Sequence, residues 1–386
     1  MERTIDECFF QIQNGANIKQ GDANGGFPIT RIETTANDKF NRDRMGYAGI
    51  TDLSKYGSYV LEDGDLLMSH INSVQYLGRT VLYEKQGDET IIHGMNLLRL
   101  KARRDIINPA YARYCFYAHP FRSQVTNITK KSVNQASFAV TDLKKIKINV
   151  PDIAEQNSVV DKLDRIQGII EQRNIELVQL DNLIKARFVE LFEDGESPLK
   201  TVEELCSDIV DCPHTTPKYE GELKNPAIRT SEIKKGYITW DSMRYVSDEE
   251  YEERVSRLRP ETGDIVYGRE GTFGNAAVLP EGYKFCLGQR VMLLRPDYTK
   301  CTSEYLLHAV ISDDVYRQAV GKNNASTVAH VNVKDVKQFK IPLPSFDKQN
   351  QFAAFVKQVD KSKVVVQEAL KETQLLFDSL MQKYFG

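Results

Sequence analysis

Few residues in this chain have the types and spacing to do chemistry. Asn108-Pro109-Ala110-Tyr111 resembles the Asn-Pro-Pro-Tyr/Phe element with which adenine methyltransferases hold a target amino group, but it lacks the second Pro. The corresponding later stretch, Thr302-Ser303-Glu304-Tyr305, starts with a helix-capping residue, and Asn followed by Pro at the first helical position is another cap. Both are read as helix starts. Glu222-Leu223-Lys224 after Asp211 loosely imitates the acidic-x-Lys set of metal-dependent nucleases, yet such triplets are common in a chain that is 27% charged, and a solvated loop explains it. No Gly-rich loop follows a hydrophobic strand to seat S-adenosylmethionine, and no G-x-x-x-x-G-K-[ST] cradles a phosphate. His70, His93, His119, His214, His308 and His330 have neither metal-ligand spacing nor a Cys or carboxylate in register. No catalytic residue, metal or cofactor is expected.

Composition sets the frame for the elements that carry these residues. With 386 residues, two or more domains can each bury a core. The 41% hydrophobic content is that of an ordinary folded chain. A net charge of -3 excludes a generally basic nucleic-acid coat, so contact with a polyanion has to come from local clusters. Cys8, Cys115, Cys206, Cys212, Cys286 and Cys301 contain no C-x-x-C and read as free thiols of a reducing cytoplasm. The acidic start, Met1-Glu2-Arg3-Thr4-Ile5-Asp6-Glu7, does not suit a signal peptide, and no apolar run approaches the ~18 residues of a membrane span. A cytoplasmic location is expected.

The chain is written twice. Thr141 to Pro151, followed by Glu155-Gln156-Asn157, recurs as Lys334 to Pro344, followed by Lys348-Gln349-Asn350, at an offset of 193 residues (142 to 335, 151 to 344). Upstream, Glu62-Asp63-Gly64-Asp65-Leu66-Leu67 matches Glu261-Thr262-Gly263-Asp264-Ile265-Val266, and Thr4-Ile5-Asp6-Glu7 matches Thr201-Val202-Glu203-Glu204, at offsets of 197 to 199. Small insertions in a shared frame are what surface loops tolerate, so the copies are one fold with different loops.

Each copy closes in a helix with an apolar stripe at alternating steps of four and three. The first stripe is Val159, Leu163, Ile166, Ile170, Arg173, Leu177, Leu180, Ile184, Arg187 and Leu191. The second, 193 residues on, is Phe352, Val356, Val359, Lys363, Val366, Leu370, Thr373, Phe377, Leu380 and Tyr384; eight of the ten positions are apolar in each. This is a coiled-coil seam. At 1.5 Å per residue it runs roughly 48 Å, too long for one small domain to bury, so the helices are expected to pair antiparallel. Short β-rich runs and helices mix in the rest. The fold class is therefore α+β: two tandem mixed domains separated by two long antiparallel helices, with a pseudo-two-fold internal repeat. The expected boundaries are 1–151 (first domain), 152–193 (first helix), 194–344 (second domain) and 345–386 (second helix), with a linker at Glu193-Asp194-Gly195-Glu196-Ser197-Pro198.

An apolar strand running to Pro, then Gln-Asn, then a long helix, all present twice, resembles the specificity subunit of type I restriction-modification enzymes over nearly the whole chain. That family has Pro-x-Pro and Glu-Gln at this junction; here Asn149 replaces the first Pro in one copy and Lys348 replaces Glu in the other. The helix ends, Ala186 to Phe192 and Leu380 to Phe385, are similar too. The resemblance implies a non-catalytic subunit that binds a split, asymmetric double-stranded DNA sequence, each recognition domain reading one half-site. It also implies that the helices set the unread gap and dock methyltransferase subunits, two by the twofold repeat, with restriction or translocase subunits joining where encoded. A spacer of roughly 48 Å equals about 14 base pairs at 3.4 Å each.

Base reading needs side chains that reach base edges from exposed loops. The candidates are His70 and Asn72 in Ser69-His70-Ile71-Asn72-Ser73, and Arg269 and Thr272 in the equivalent Gly268 to Gly274. Lys130, Lys131 and Asn134 in one copy and Lys322, Asn323 and Asn324 in the other add cations and amides before the closing strand. Lys101-Ala102-Arg103-Arg104 and Arg254, Arg257 and Arg259 are candidates for phosphate contact, although solvated faces carry such runs too. Two rival functions stay open at this level: a DNA-modifying enzyme, and a structural or anti-restriction protein that binds methyltransferase subunits without reading DNA.

Overall fold

The computed structural model describes residues 1–19, 25–132, 135–192, 195, 197–220, 224–271, 274–321 and 330–386. The chain divides into two compact units, Met1–Arg173 with Ala369–Gly386, and Asn174–Glu368.

The first unit opens on a Thr-x-x-Glu capping box. Thr4 accepts from the Glu7 amide while Glu7 accepts from the Thr4 amide at 2.6 Å, which starts the turn Ile5–Cys8. Strand Glu2–Thr4 pairs antiparallel with Lys147–Asn149, tying the start of the unit to its closing strand. The main sheet is antiparallel, in the order Phe9–Asn14, Leu97–Ala102, Leu66–Ser69, Thr80–Leu82. The repeated Glu-x-Gly-Asp is the turn that feeds its central strand. Gly64 takes a φ of 86°, which favours glycine, and the buried Asp65 carboxylate accepts from the Glu62 amide at 2.8 Å. Helices Pro109–Tyr117 and His119–Ile128 cover the sheet through Tyr111, Phe116 and Phe121.

The second unit repeats this plan with other side chains. Thr201 and Glu204 form the same capping box, and Leu199–Thr201 pairs with Lys340–Pro342. Its main sheet runs Cys206–Asp211, Val291–Pro296, Ile265–Gly268, Ala276–Val278, with a bulge at the position where the first sheet has one, Cys206/Asp208 against Phe9/Gln11. Glu261 and Asp264 close the same turn, and Arg295 clamps Asp264 at 2.8 Å. The units differ in their elaborations. Residues 219–287 of the second unit build an extra sheet, Tyr219–Glu220, Arg244–Val246, Asn225–Ile228, Cys286–Leu287, whose last pair is parallel.

The repeated Gln is a buried fastener in both units. Gln156 accepts from the Asn108 amide and donates to the carbonyls of Ile106 and Pro151 at 2.8–2.9 Å. Gln349 accepts from the Thr302 amide and donates to those of Lys300 and Pro344 at 2.9–3.1 Å. Each thereby joins the start of a long helix to a capped helix of its domain.

The long helices are Ile153–Phe192 and Phe346–Phe385. All twenty positions of the two stripes are buried or half-buried. In the first unit Val159 and Leu163 share a core with Phe377, Leu380 and Tyr384, while Arg173 donates to the Ala369 carbonyl and the Thr373 hydroxyl, so the two segments run antiparallel. In the second unit Phe188 and Phe192 pack edge-on against Phe352, and Lys363 pairs with Asp181 at 2.7 Å, again antiparallel. At this end Phe188 and Phe192, one place on from the stripe, carry the packing alongside Ile184.

Replacing Gln156 or Gln349 by Ala orphans three backbone groups. Each change is expected to cost about 1–3 kcal/mol in urea unfolding, and an unchanged midpoint would contradict the fastener role.

Candidate nucleic-acid interface

In both units the loop leaving the central strand and the loop entering the closing strand meet. In the first, Ile71–Asn72 pairs antiparallel with Ala136–Ser137, which in turn pairs with Lys130–Lys131. The chain thus brings Asn72, Lys130 and Lys131 onto one small sheet, with both lysines exposed. In the second unit Glu270 bridges His330, and the Val331 amide donates to the Arg269 carbonyl at 2.9 Å. Asn134, Thr272, Lys322, Asn323 and Asn324 lie outside the described residues.

Two candidates face inward. His70 is buried, its ring edge-on to Phe138 with centroids 6.3 Å apart, and desolvation pushes its pKa down to about 4. It is a neutral ring supporting the loop. Arg269 is also covered, its side chain only 8% exposed, and it pairs with Asp211 at 2.8 Å. Asn72 is a turn former, its carbonyl oxygen accepting from the Ser73 amide at 2.8 Å. Among the described residues of these loops, exposed cations are Lys130 and Lys131, and Arg290, 61% exposed and 3.0 Å from Glu270.

The candidate phosphate clusters divide the same way. Arg254 is buried and donates to the Leu287 carbonyl at 2.9 Å, so it holds the extra sheet of the second unit. Arg259 pairs with Glu252 at 2.7 Å, Lys101 with Glu62, and Arg104 with Asp63. Arg103 and Arg257 are exposed.

The Asn-Pro element that resembles a methyltransferase motif has a structural role. Asn108 caps helix Pro109–Tyr117 by accepting from the Ala110 amide, and Tyr111 is buried with its hydroxyl donating to the Asn149 carbonyl at 3.2 Å. Glu222 and Leu223 fall outside the described residues. Among the described residues, no group of three or more His, Cys, Asp or Glu is placed to hold a metal ion, and no helix is long and apolar enough to cross a membrane.

Two equivalent α+β units, each with polar loops at one end of its sheet and an antiparallel helix pair, define a twice-repeated fold. The sequence matches the family described as the type I restriction modification DNA specificity domain over residues 2–179 and again over 215–373, and the chain belongs to that family. It is 25% identical over 374 residues to the putative type I restriction enzyme MjaX specificity subunit of Methanocaldococcus jannaschii, covering 93% of this chain and 86% of that protein. It is 22% identical over 338 residues to the type I restriction enzyme EcoBI specificity subunit of Escherichia coli, covering 77% and 69%. The fold is similar to the crystal structure of the type I restriction-modification S subunit from M. genitalium, with a TM-score of 0.58 at 14% identity over 100% of this chain and 96% of that one. A structure from work on complex assembly and conformational transition of the type I system gives 0.57 at 17% identity, covering 100% and 97%.

Arg269→Ala leaves Asp211 without its largely buried partner and is expected to cost about 3 kcal/mol of stability, whereas Lys130→Ala with Lys131→Ala stays within about 0.5 kcal/mol. Thermal or urea unfolding checks both, and a fully stable Arg269→Ala would show that this guanidinium is free for another role.

Proposed function

We propose that this chain is a non-catalytic specificity subunit that reads a bipartite, asymmetric double-stranded DNA sequence, one half-site per domain, and docks methyltransferase subunits. Restriction or translocase subunits join through that core where they are encoded. The observation that carries the reading is one sheet, built twice with the same strand order and bulge, bearing different loops at the same end. A scaffold of that kind presents two different surfaces in one frame, which is what a split asymmetric target requires.

In this reading residues 1–151 and 194–344 are the recognition domains, and 152–193 and 345–386 form the spacer. Lys130, Lys131 and Asn134 in one domain and Thr272, Lys322, Asn323 and Asn324 in the other supply phosphate and base contacts, while His70 and Arg269 support those loops from below. Phosphate contacts give affinity and register, and amides give base choice.

The helices also expose apolar side chains that a lone chain has no use for. Leu183 and Leu376, 47% and 51% exposed, occupy equivalent places in the two helices, 193 residues apart. Ile175 and Val178 on the first helix, and Val364 and Val365 on the second, are exposed as well. Exposed apolar side chains on both helices support the docking of methyltransferase subunits. The work place of such a complex is the cytoplasm, alongside the genomic DNA.

Co-expression with the genomically adjacent methyltransferase, followed by mapping of methylated adenines on host DNA, tests this. Methylation of one split motif only when both proteins are present is expected, with no transfer from S-adenosylmethionine by this chain alone. Methylation that does not depend on this chain would overturn the reading.

A further inference from the structure

The first strand of each sheet ends in a loop that carries an exposed polar side chain. Phe9–Asn14 and Cys206–Asp211 end in register, Asn14 opposite Leu98 and Asp211 opposite Met292, so Asn14 and Asp211 are equivalent residues. Three positions beyond them stand Asn17 and His214, both exposed, the imidazole to 76%.

Both loops are fixed by their backbones at the end of the sheet where the other polar loops gather. In the first unit the Ala16 amide donates to the His93 carbonyl at 2.8 Å, and the Met95 amide to the Ala16 carbonyl at 3.1 Å. The next residue, Asn96, has a φ of 73° and leads into Leu97, which pairs with Ser69 just before His70. In the second unit the Cys212 amide donates to the Val291 carbonyl at 3.1 Å, and Arg290, with a φ of 66°, occupies the place of Asn96. Its carbonyl accepts from the Arg269 amide at 3.0 Å. The loop runs between Pro213 and Pro217, and Thr216 accepts from the Gln289 side chain at 2.8 Å. The Asp211 carboxylate meets Arg269 at 2.8 Å on one side and stands 3.6 Å from the His214 ring on the other.

We infer that Asn17 and His214 are base-reading side chains, one for each half-site, and that Asp211, anchored by Arg269, is the positioning residue for His214. This deepens the proposed function and rests on it. A base reader must reach solvent while its backbone is already ordered, because ordering on binding subtracts from affinity; both residues meet that description. Their chemistry differs in the sense an asymmetric target needs. The Asn17 amide offers a donor and an acceptor together, the pair that matches the major-groove edge of adenine. Each nitrogen of the His214 ring offers one donor or one acceptor, so it makes a single contact and selects differently. The buried Arg269 then acts on sequence choice through Asp211 and not by touching DNA.

The test uses the complex of the full chain with its methyltransferase subunits and compares methylated motifs for wild type, Asn17→Ala, His214→Ala, His214→Asn and Asp211→Asn. Asn17→Ala is expected to relax base choice at one position of one half-site by about tenfold, and His214→Ala to do so only in the other half-site. His214→Asn is expected to shift the preferred base, and Asp211→Asn to weaken discrimination at the His214 position alone. A wild-type split motif that stays unchanged in Asn17→Ala and His214→Ala overturns this inference and leaves the proposed function standing. Equal loss of methylation at every site in both His214 variants overturns it too. A wild-type complex with no split motif overturns the proposed function, and this inference with it.

Discussion

Two apolar stripes on long helices cannot remain in water, and the way they cover each other governs the rest of the molecule. Each 40-residue helix carries charge or hydroxyl within its stripe, and those residues decide the register. Arg173 meets the Ala369 carbonyl and the Thr373 hydroxyl, while Lys363 meets Asp181. A shift of register would part Arg173 from Ala369 and Thr373, and Lys363 from Asp181. A polar residue in a coiled-coil seam trades stability for a unique alignment. Because Lys363 and Thr373 stand where the first helix has Ile170 and Leu180, the two copies have diverged to make the two polar layers complementary to their partners instead of identical.

The domains use the same division between a fixed frame and free loops. Capping boxes at Thr4 and Thr201, Glu-x-Gly-Asp turns before the central strands, and the Gln156 and Gln349 fasteners are repeated down to single hydrogen bonds. Between these points the chain is free to vary. In the stretch before the closing part of the frame the second unit builds a four-stranded sheet clamped by Arg254, and the first builds 3-10 turns at Ile32–Asp38 and Arg42–Arg44. New loop content on an unchanged frame is a route to a new recognition surface without disturbing the frame itself.

What could be read from the sequence was whatever is encoded locally or repeated. The four-three spacing marked positions that are all buried or half-buried, though it passed over Phe188 and Phe192, and Asn-Pro marked a helix start, because those interactions span a few residues. The fates of His70, Arg254 and Arg269 were not legible. Arg269 finds Asp211 from 58 residues away and Arg254 finds Leu287 from 33, and nothing in the local pattern announces such partners. An Arg in a Gly-rich loop therefore reads as solvated until the neighbouring strand is known. The place of the His214 loop was not legible either, because only the sheet brings it beside the other polar loops.

We propose that the paired helices measure the distance between two half-sites, and removing one heptad from each helix at matched positions tests this most directly. The seam phase and the flanking polar layers survive such a deletion, while the spacer shortens by roughly 10 Å. Mapping the methylated motif of that complex should show both half-sites with their bases unchanged and the gap between them reduced by about two to three base pairs. A gap of the original length would contradict the account, because the helices would then not be what sets it.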